Sequence, residues 1–451
     1  MEKVTPRTLS GFMELLPEEQ LKMEKLLAAL RRVYSLYGFT PLDTPAIESA
    51  EVLLAKGGGE TEKQIYRFMK GESDLALRFD LTVPLAKYVA ANYAKLQFPF
   101  RRYQIGKVWR GERAQRGRFR EFYQADIDVI GDGKLDIMNE AEIPSIICRA
   151  FTELGLEDFT IRINNRKVLG GFFRMHGMNA PAEILRTIDK LEKIGEDKVR
   201  AILMDDCGLD AAQAGEALGF IGFKGTTAEK LAFLEGMTGR DELFDEGVKE
   251  LRTVAEALPG LGVPPERFAI DLTIARGLDY YTGTVYETTI NSHPEIGSVC
   301  SGGRYDDLAE YYTDRKLPGA GISIGVTRLF YVLSEQGLLN PELTAAPADA
   351  IVLPMTDDLG FAAQTATKLR EAGIRTQLYT EDKKFKQKLS YASKLGIPFA
   401  VIIGEDEMKS ARVSLKDMQK GEQISCTQDE AAEKILTALA ESAGERLIKE
   451  K

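Results

Sequence analysis

Between Glu18 and Tyr37 the apolar residues Met23, Leu26, Leu27, Leu30, Val33, Tyr34 and Tyr37 recur three and four apart, which is the stripe of an amphipathic helix. Gly38 ends it. From there to about Ile130 short β-favouring runs alternate with glycine-rich and charged loops, without a regular strand-helix-strand order. That texture predicts an antiparallel sheet with helices packed on it. Residues 169–261 turn rich in Ala, Leu, Glu and Lys, as in Thr187 to Leu203 and Ala228 to Leu258, and read as a helical insertion. β-favouring sequence resumes from Phe268 to Tyr305, and Val326 to Gly337 reads as another helix. One domain, formed by 1–168 and 262–340 and interrupted by the insertion, fits this order.

The segment 341–347, with its Ala-Ala-Pro-Ala run, reads as a linker, and beyond it the period changes. Ala350 to Leu353 is a buried-strand run, Leu359 to Ala372 a helical pattern, Arg375 to Tyr379 a strand, Lys384 to Leu395 a helix and Phe399 to Gly404 a strand. The alternation predicts a small parallel α/β domain over 348–451. No internal repeat or low-complexity tract interrupts this plan.

A chain of 451 residues with 44% hydrophobic content can build several cores, so a disordered or fibrous chain is excluded. Its 59 basic and 69 acidic residues leave a net charge of −10, and no global positive field draws it to nucleic acid. Any such contact must use local basic surface. The stretch Glu381 to Lys420 offers one, with nine basic residues against six acidic, although a solvated helix face explains that balance equally well. The start Met1-Glu2-Lys3-Val4 lacks an apolar signal core, and no run approaches the ~18 apolar residues of a bilayer span. Cys148, Cys207, Cys300 and Cys426 are scattered singly, without the paired spacing of a zinc site or disulfide framework. These features predict a soluble protein of a reducing cytoplasm, with no membrane partner and no structural metal.

The densest chemical signal runs from Phe100 to Gly131. Its stretch Arg101 to Arg120 holds eight basic residues against one acid. Read with a period of two, Arg118, Arg120, Phe122, Gln124, Asp126 and Asp128 share one strand face, and Phe119, Tyr123, Ala125, Ile127 and Val129 share the other. A hairpin loop around Gly111 to Gly117 then sets arginines at one end and carboxylates farther along. That order suits a polyanion beside a cationic or hydrogen-bonding group; a solvated polar strand face is the competing reading of this stretch alone. Ile274 to Glu287 and Ser301 to Asp306 form a second cluster, whose Tyr, Arg and Asp residues suit a planar polar ligand or an ordinary aromatic strand. In a third, Leu317 to Arg328, the glycines fall as G-x-G-x-x-x-G after a proline, which excludes a dinucleotide fold and a nucleotide-dependent dehydrogenase.

Taken in this order, the clusters resemble those of the histidyl-tRNA synthetase family, class II aminoacyl-tRNA synthetases. Tyr37 to Glu48 is similar to motif 1, whose Pro45 belongs to a dimer-forming element. Val108 to Gly131 resembles motif 2 and Gly319 to Arg328 motif 3, while Ala275 to Glu287 and Ser301 to Asp306 resemble two histidine-specific signatures. Leu75 to Ala90 and Asp382 to Met408 also match the family, the latter in its anticodon-binding domain. The resemblance implies an α+β class II catalytic domain with a helical insertion and a C-terminal α/β anticodon-binding domain. It also implies a cytoplasmic homodimer that activates L-histidine with ATP and Mg²⁺, then transfers it to the 3′ end of tRNA(His).

By motif position, Arg110 and Arg276 are the implied catalytic arginines, holding the histidine carboxylate and the α-phosphate. Arg110, Glu112, Arg118 and Arg328 are the implied ATP contacts. Histidine falls to Asp80, Thr82, Gln124, Asp128, Arg276, Tyr280, Tyr281 and Tyr305; a site that pairs both ring nitrogens rejects competitors by about 10⁴-fold without editing. Some positions depart from the family pattern: Phe79 replaces the usual Pro, Tyr123 a frequent His, and Val326-Thr327 precede Arg328 where Glu is common. His176 and His293 lie outside the motifs, and Gly57-Gly58-Gly59 reads either as a turn or as a loop closing over ligand. Gly302 and Gly303 likewise read either as part of the second signature or as glycines that serve only a turn. The nearest competing reading is the regulatory subunit of ATP phosphoribosyltransferase, a non-enzymatic relative that generally lacks the C-terminal domain and the full arginine set.

Overall fold

Met23, Leu26, Leu27, Leu30, Val33 and Tyr34 are all buried in the computed structural model, which describes residues 3–55, 60–113, 117–179, 181–188, 191–274, 280–335, 337 and 346–448. They line one side of the helix Pro17–Leu36. The helix closes where the sequence predicts: Phe39 N–H donates to the Tyr34 carbonyl at 3.1 Å and Gly38 N–H to that of Ser35 at 3.0 Å. Gly38 has a φ of +74°, the left-handed conformation that this cap requires and that a side chain resists. The Tyr34 hydroxyl donates to the Ala125 carbonyl at 3.1 Å, which anchors the stripe on a sheet.

The chain divides into two compact units, Met1–Glu14 with Glu24–Asn340 and Leu15–Met23 with Pro341–Lys451. In the first the strands are β1 (Thr40–Pro41), β2 (Ile47–Ser49), β3 (Arg67–Lys70), β4 (Ser73–Leu77), β5 (Phe100–Trp109), β6 (Glu121–Ile130), β7 (Phe159–Asn165), β8 (Phe268–Ile270), β9 (Thr284–Ile290), β10 (Cys300–Tyr305) and β11 (Gly319–Gly325). Eight of them make one sheet in the order β1-β5-β6-β11-β10-β9-β7-β8, and β2-β4-β3 make a small second sheet. The large sheet is antiparallel as expected, except that β1 runs parallel to β5 at one edge and β8 parallel to β7 at the other. A parallel neighbour needs a long crossover. Between β7 and β8 the described residues supply it entirely as helices, from Arg166–Met175 to Glu242–Ala257.

The second unit carries β12 (Ala350–Pro354), β13 (Thr376–Leu378), β14 (Phe399–Ile403), β15 (Val413–Asp417) and β16 (Gln423–Cys426), ordered β13-β12-β14-β15-β16. The first three pair in parallel, as the alternation predicts, but β15 and β16 add an antiparallel hairpin. The reason is local. Only Met418 to Glu422 separate the two strands, too few residues for a crossover, and the Asp417 N–H closes the turn on the Glu422 carbonyl at 2.9 Å. β12 and β14 are buried along their whole length: Ala350, Val352 and Val401 enter one core, Ile351, Leu353 and Ala400 another. Strands covered on both faces read as continuous apolar runs, which is how both were recognisable.

Leu30 is fully buried in the stripe. Leu30→Ala is expected to destabilise the first unit by about 2–5 kcal/mol, read as a lower urea midpoint by circular dichroism; an unchanged midpoint would show that the helix face contributes little.

Candidate active site

Strand β6 alternates as the sequence predicts, but both of its faces are buried. Ala125, Ile127 and Val129 pack on one side, while Gln124, Asp126 and Asp128 point to the other, and each of these three is less than a tenth exposed. On this polar face the register sets Gly106, Gln104 and Arg102 of β5 opposite Gln124, Asp126 and Asp128, and Gly325, Ser323 and Gly321 of β11 on the other flank. The small residues of β11 leave room above the sheet. A Cβ on Gly321 would lie 2.3 Å from the Ile127 carbonyl oxygen and 2.4 Å from Asp128 Oδ1, so only glycine lets Asp128 stand where it does. The result is a cavity of about 320 Å³, in the range of small-molecule sites.

Arg110, Glu112, Arg118, Arg328, Asp80, Thr82, Gln124, Asp128, Tyr280, Tyr281 and Tyr305 all line this cavity. Arg276 lies outside the described residues, as does Gly57-Gly58-Gly59. Side chains from Asp80 to Arg328, hundreds of positions apart in sequence, thus meet in one cavity, and the polarity is divided. At the hairpin end, Arg110 donates from Nε to the Phe79 carbonyl at 3.0 Å and its guanidinium lies 5.3 Å from the Phe122 ring centroid. Arg118 sits 3.9 Å from Glu112, and Arg328 donates to the Ser298 carbonyl at 2.8 Å and to that of Ile296. Two of the departures from the family pattern meet here: the Tyr123 N–H donates to the Thr327 hydroxyl at 2.8 Å, which joins β6 to the helix Val326–Glu335.

Farther along β6 the lining turns acidic. Asp80 accepts the Val83 N–H at 3.0 Å, at the start of the helix Thr82–Asn92, and its second oxygen is buried without a partner. Asp128 accepts the Tyr305 hydroxyl at 2.6 Å and forms an ion pair with Arg102 at 2.7 Å. Gln124 donates to Ser323 at 2.7 Å, yet its carbonyl oxygen and one oxygen of Asp126 are likewise buried and unpaired. Burial pushes the Asp126 carboxyl up to about 7 and that of Asp128 up to about 6, in each case against the opposing pull of Arg102; it raises Asp80 as well. Burial also raises the hydroxyls of Tyr280, Tyr281 and Tyr305, so they remain protonated donors. Their rings pack edge to face, with Tyr280 4.9 Å from Tyr281 and 5.8 Å from Tyr305. Unpaired acceptors held in a dry wall suit a ligand that brings N–H groups and positive charge.

Three participants were not singled out by motif position. Asp126 and Ser323 line the cavity, and Arg102 stands behind Asp128. The alternation of β6 did place Asp126 on the right face; only the strand register reveals Arg102 and Ser323. Conversely, Arg304 and Asp306 of the aromatic cluster serve the scaffold, since Arg304 donates to Glu140 at 2.6 Å, to the Leu135 carbonyl at 3.1 Å and to Asp306 at 3.0 Å. Gly302 and Gly303 belong to β10 rather than to a turn. His176 and His293 contact Glu216 and Glu295, away from the cavity. Among the described residues no group of three His, Cys, Asp or Glu side chains is placed to hold a metal ion.

The raised Asp126 carboxyl has a consequence for stability. The folded chain retains a proton that the unfolded chain releases near pH 4, so stability falls as pH rises from about 4 to about 7. Asp126→Asn removes this loss. The variant is expected to melt roughly 2–4 °C or more above the parent at pH 8 and with it at pH 4, by calorimetry; an equal difference at both pH values would mean that burial does not govern Asp126.

Comparison with known proteins gives a consistent picture. The family model described as histidyl-tRNA synthetase matches residues 11–329, and the anticodon binding domain model matches 349–438. A histidine--tRNA ligase of Clostridium tetani is 55% identical over 96% of this chain and 99% of its own. One of Xanthomonas axonopodis pv. citri is 44% identical over 97% of each. The crystal structure of histidyl-tRNA synthetase from Nostoc superposes with a TM-score of 0.88 at 43% identity, covering 97% of this chain and 100% of that one. An ATP phosphoribosyltransferase regulatory subunit/histidyl-tRNA synthetase from Bacillus halodurans shares the fold at 22% identity and a TM-score of 0.72. With the family model spanning residues 11–329 and full-length relatives at 44–55% identity, the chain belongs to the histidyl-tRNA synthetase family.

Proposed function

We propose that the cavity is where the chain activates L-histidine with ATP, before the histidyl group passes to the 3′ end of tRNA(His). The observation that carries this reading is the divided polarity of one enclosed site: buried carboxyls at one end, Arg110, Arg118 and Arg328 at the other. In the first step the histidine carboxylate attacks the α-phosphorus of ATP; a carboxyl O–P bond forms, the bond to the β-phosphate oxygen breaks, and pyrophosphate leaves with the electron pair. In the second a terminal ribose hydroxyl of the tRNA attacks the activated carbonyl, and AMP departs. No protein nucleophile is needed. Catalysis consists of bringing two anions together and holding the charge that develops on phosphate.

Arg110, whose guanidinium is fixed by the Phe79 carbonyl and the Phe122 ring, is aimed for that task from one side. Arg276 takes the other by motif position. Glu112 is assigned to the adenine, and Arg118 and Arg328 to the phosphate tail. Mg²⁺ bound with the nucleotide would supply neutralisation of phosphate charge; among the described residues no group of three His, Cys, Asp or Glu side chains is placed to hold it, so it would be held chiefly by the nucleotide. The histidine α-ammonium goes to Asp80, beside Thr82 and Gln124, whereas Asp128, Tyr281 and Tyr305 face the imidazole and Tyr280 backs them.

The domains follow the same reading: a catalytic domain of 1–168 and 262–340, an acceptor-stem-contacting insertion of 169–261, a linker of 341–347 and an anticodon-binding domain of 348–451. A class II homodimer formed through the element containing Pro45, working in the cytoplasm, completes the proposal. No described helix is long and apolar enough to cross a membrane. The regulatory-subunit reading rests on fold likeness at 22% identity, and the three arginines in the cavity favour an enzyme over it.

Exchange of radiolabelled pyrophosphate into ATP, without tRNA, tests the reading directly: exchange with histidine and with no other amino acid is expected, and its absence from folded protein would move the chain to a regulatory role. Asp128→Ala is expected to raise the KM for histidine at least tenfold while moving that for ATP less than twofold; equal rises would count against the imidazole placement. Arg276→His is expected to lower exchange by about a thousandfold with unchanged thermal unfolding, and parental rates would remove that arginine from the mechanism.

A further inference from the structure

Arg102 is 0% exposed, does not line the cavity, and yet touches both halves of the amino-acid end. Its Nη2 lies 2.7 Å from Asp128 Oδ2 and donates at 3.1 Å to the carbonyl of Leu81, the residue between Asp80 and Thr82. Its charge acts on Asp80, Asp126 and Asp128 together, and in each case favours the ionised form against burial. Arg110, the other cation that acts on Asp80, belongs to the phosphate end. Three buried carboxyls thus share the fully buried guanidinium of Arg102, which also ties the strand bearing Asp126 and Asp128 to the segment where Asp80 leads into Thr82, the first residue of the helix Thr82–Asn92.

We propose that Arg102 is a positioning residue for histidine: it is the shared counter-charge of Asp126 and Asp128 and, through the Leu81 carbonyl, keeps the imidazole side of the pocket in register with the α-amino side. The proposal rests on reading the cavity as the histidine site. Its logic is that of any buried ion pair, in which removing one partner leaves the other uncompensated. Without Arg102, Asp128 is free to take up a proton and turn from acceptor to donor, and the Leu81 carbonyl loses its tether. The arginine end of the cavity is built on the loop end of the β5–β6 hairpin, with Arg110 eight positions along the chain from Arg102, and on the helix Val326–Glu335, so nucleotide binding is left in place. Neutralising Asp126 at the same time removes one of the competing negative charges and is therefore compensating.

The test compares pyrophosphate exchange in the full chain for the parent, Arg102→Met, Arg102→Lys, Asp126→Asn and the double variant Arg102→Met/Asp126→Asn. Histidine-dependent exchange in the parent is the control for the site itself; its absence overturns the reading of the cavity and this proposal with it. With that control in hand, Arg102→Met is expected to raise the histidine KM at least tenfold and the ATP KM less than twofold. Arg102→Lys should recover part of this loss, and adding Asp126→Asn to Arg102→Met should lower the histidine KM at least threefold relative to Arg102→Met alone. Parallel rises in both KM values, parental behaviour of Arg102→Met, or losses that simply multiply in the double variant would each overturn the proposal. If Arg102→Met alone does not fold, a folded double variant whose histidine KM lies within tenfold of that of Asp126→Asn supports the shared counter-charge, and failure of the double variant to fold overturns it.

Discussion

The amino-acid end of the cavity depends on burying three carboxyls, Asp80, Asp126 and Asp128, around the guanidinium of Arg102. Removing such groups from water is expensive, and one arginine cannot repay three acids. The imbalance shows as raised carboxyl affinities for protons and as buried oxygens without partners. A binding site gains from the imbalance, because a ligand that brings N–H groups and a cation satisfies what the folded chain leaves unsatisfied. Stability is given up locally so that affinity is available there.

The surrounding structure is what allows this local deficit to persist. Ala125, Ile127 and Val129 are buried on the reverse side of β6, where the Tyr34 hydroxyl donates to the Ala125 carbonyl, so the strand cannot turn its acids toward water without exposing those apolar side chains. Gly321 opens space on one flank, and Tyr305 closes the end of the pocket with a hydroxyl on Asp128. The phosphate end follows the opposite rule. Arg110 and Arg328 are held by the carbonyls of Phe79, Ser298 and Ile296, neutral partners that orient a guanidinium without cancelling its charge, while Arg118 lies 3.9 Å from Glu112. One β-hairpin carries both regimes, and the distance between them along β6 separates a cation-seeking wall from an anion-seeking one.

Much of this was legible from pattern alone. The three-and-four spacing from Met23 to Tyr34 marked the helix, the period of two from Arg118 to Asp128 marked the strand and its polar face, and the apolar runs at Ala350 and Phe399 marked the doubly covered strands. The site residues implied by motif position line one cavity wherever they fall among the described residues. What escaped was decided by pairing rather than by period. β15 and β16 are too polar and too short to stand out until their hairpin is seen on the sheet edge. Gly302 and Gly303 looked like turn residues because glycine has few other local meanings, whereas in β10 a Cβ on Gly302 would lie 2.1 Å from the Gly321 carbonyl oxygen.

The sequence by itself therefore determined most of the elements and the order of the motifs, because helix stripes and strand alternation are local properties of the chain, and it pointed to the reaction only through its resemblance to a known family. Tertiary structure alone decided which charges meet. Arg101 and Arg102 are indistinguishable by composition, yet the register of β5 against β6 sends Arg101 to the part-buried Glu142 and buries Arg102 against Asp128. A shift of one residue would exchange their faces. Charge interactions fall off with distance and depend steeply on burial, and neither quantity exists until the strands have paired.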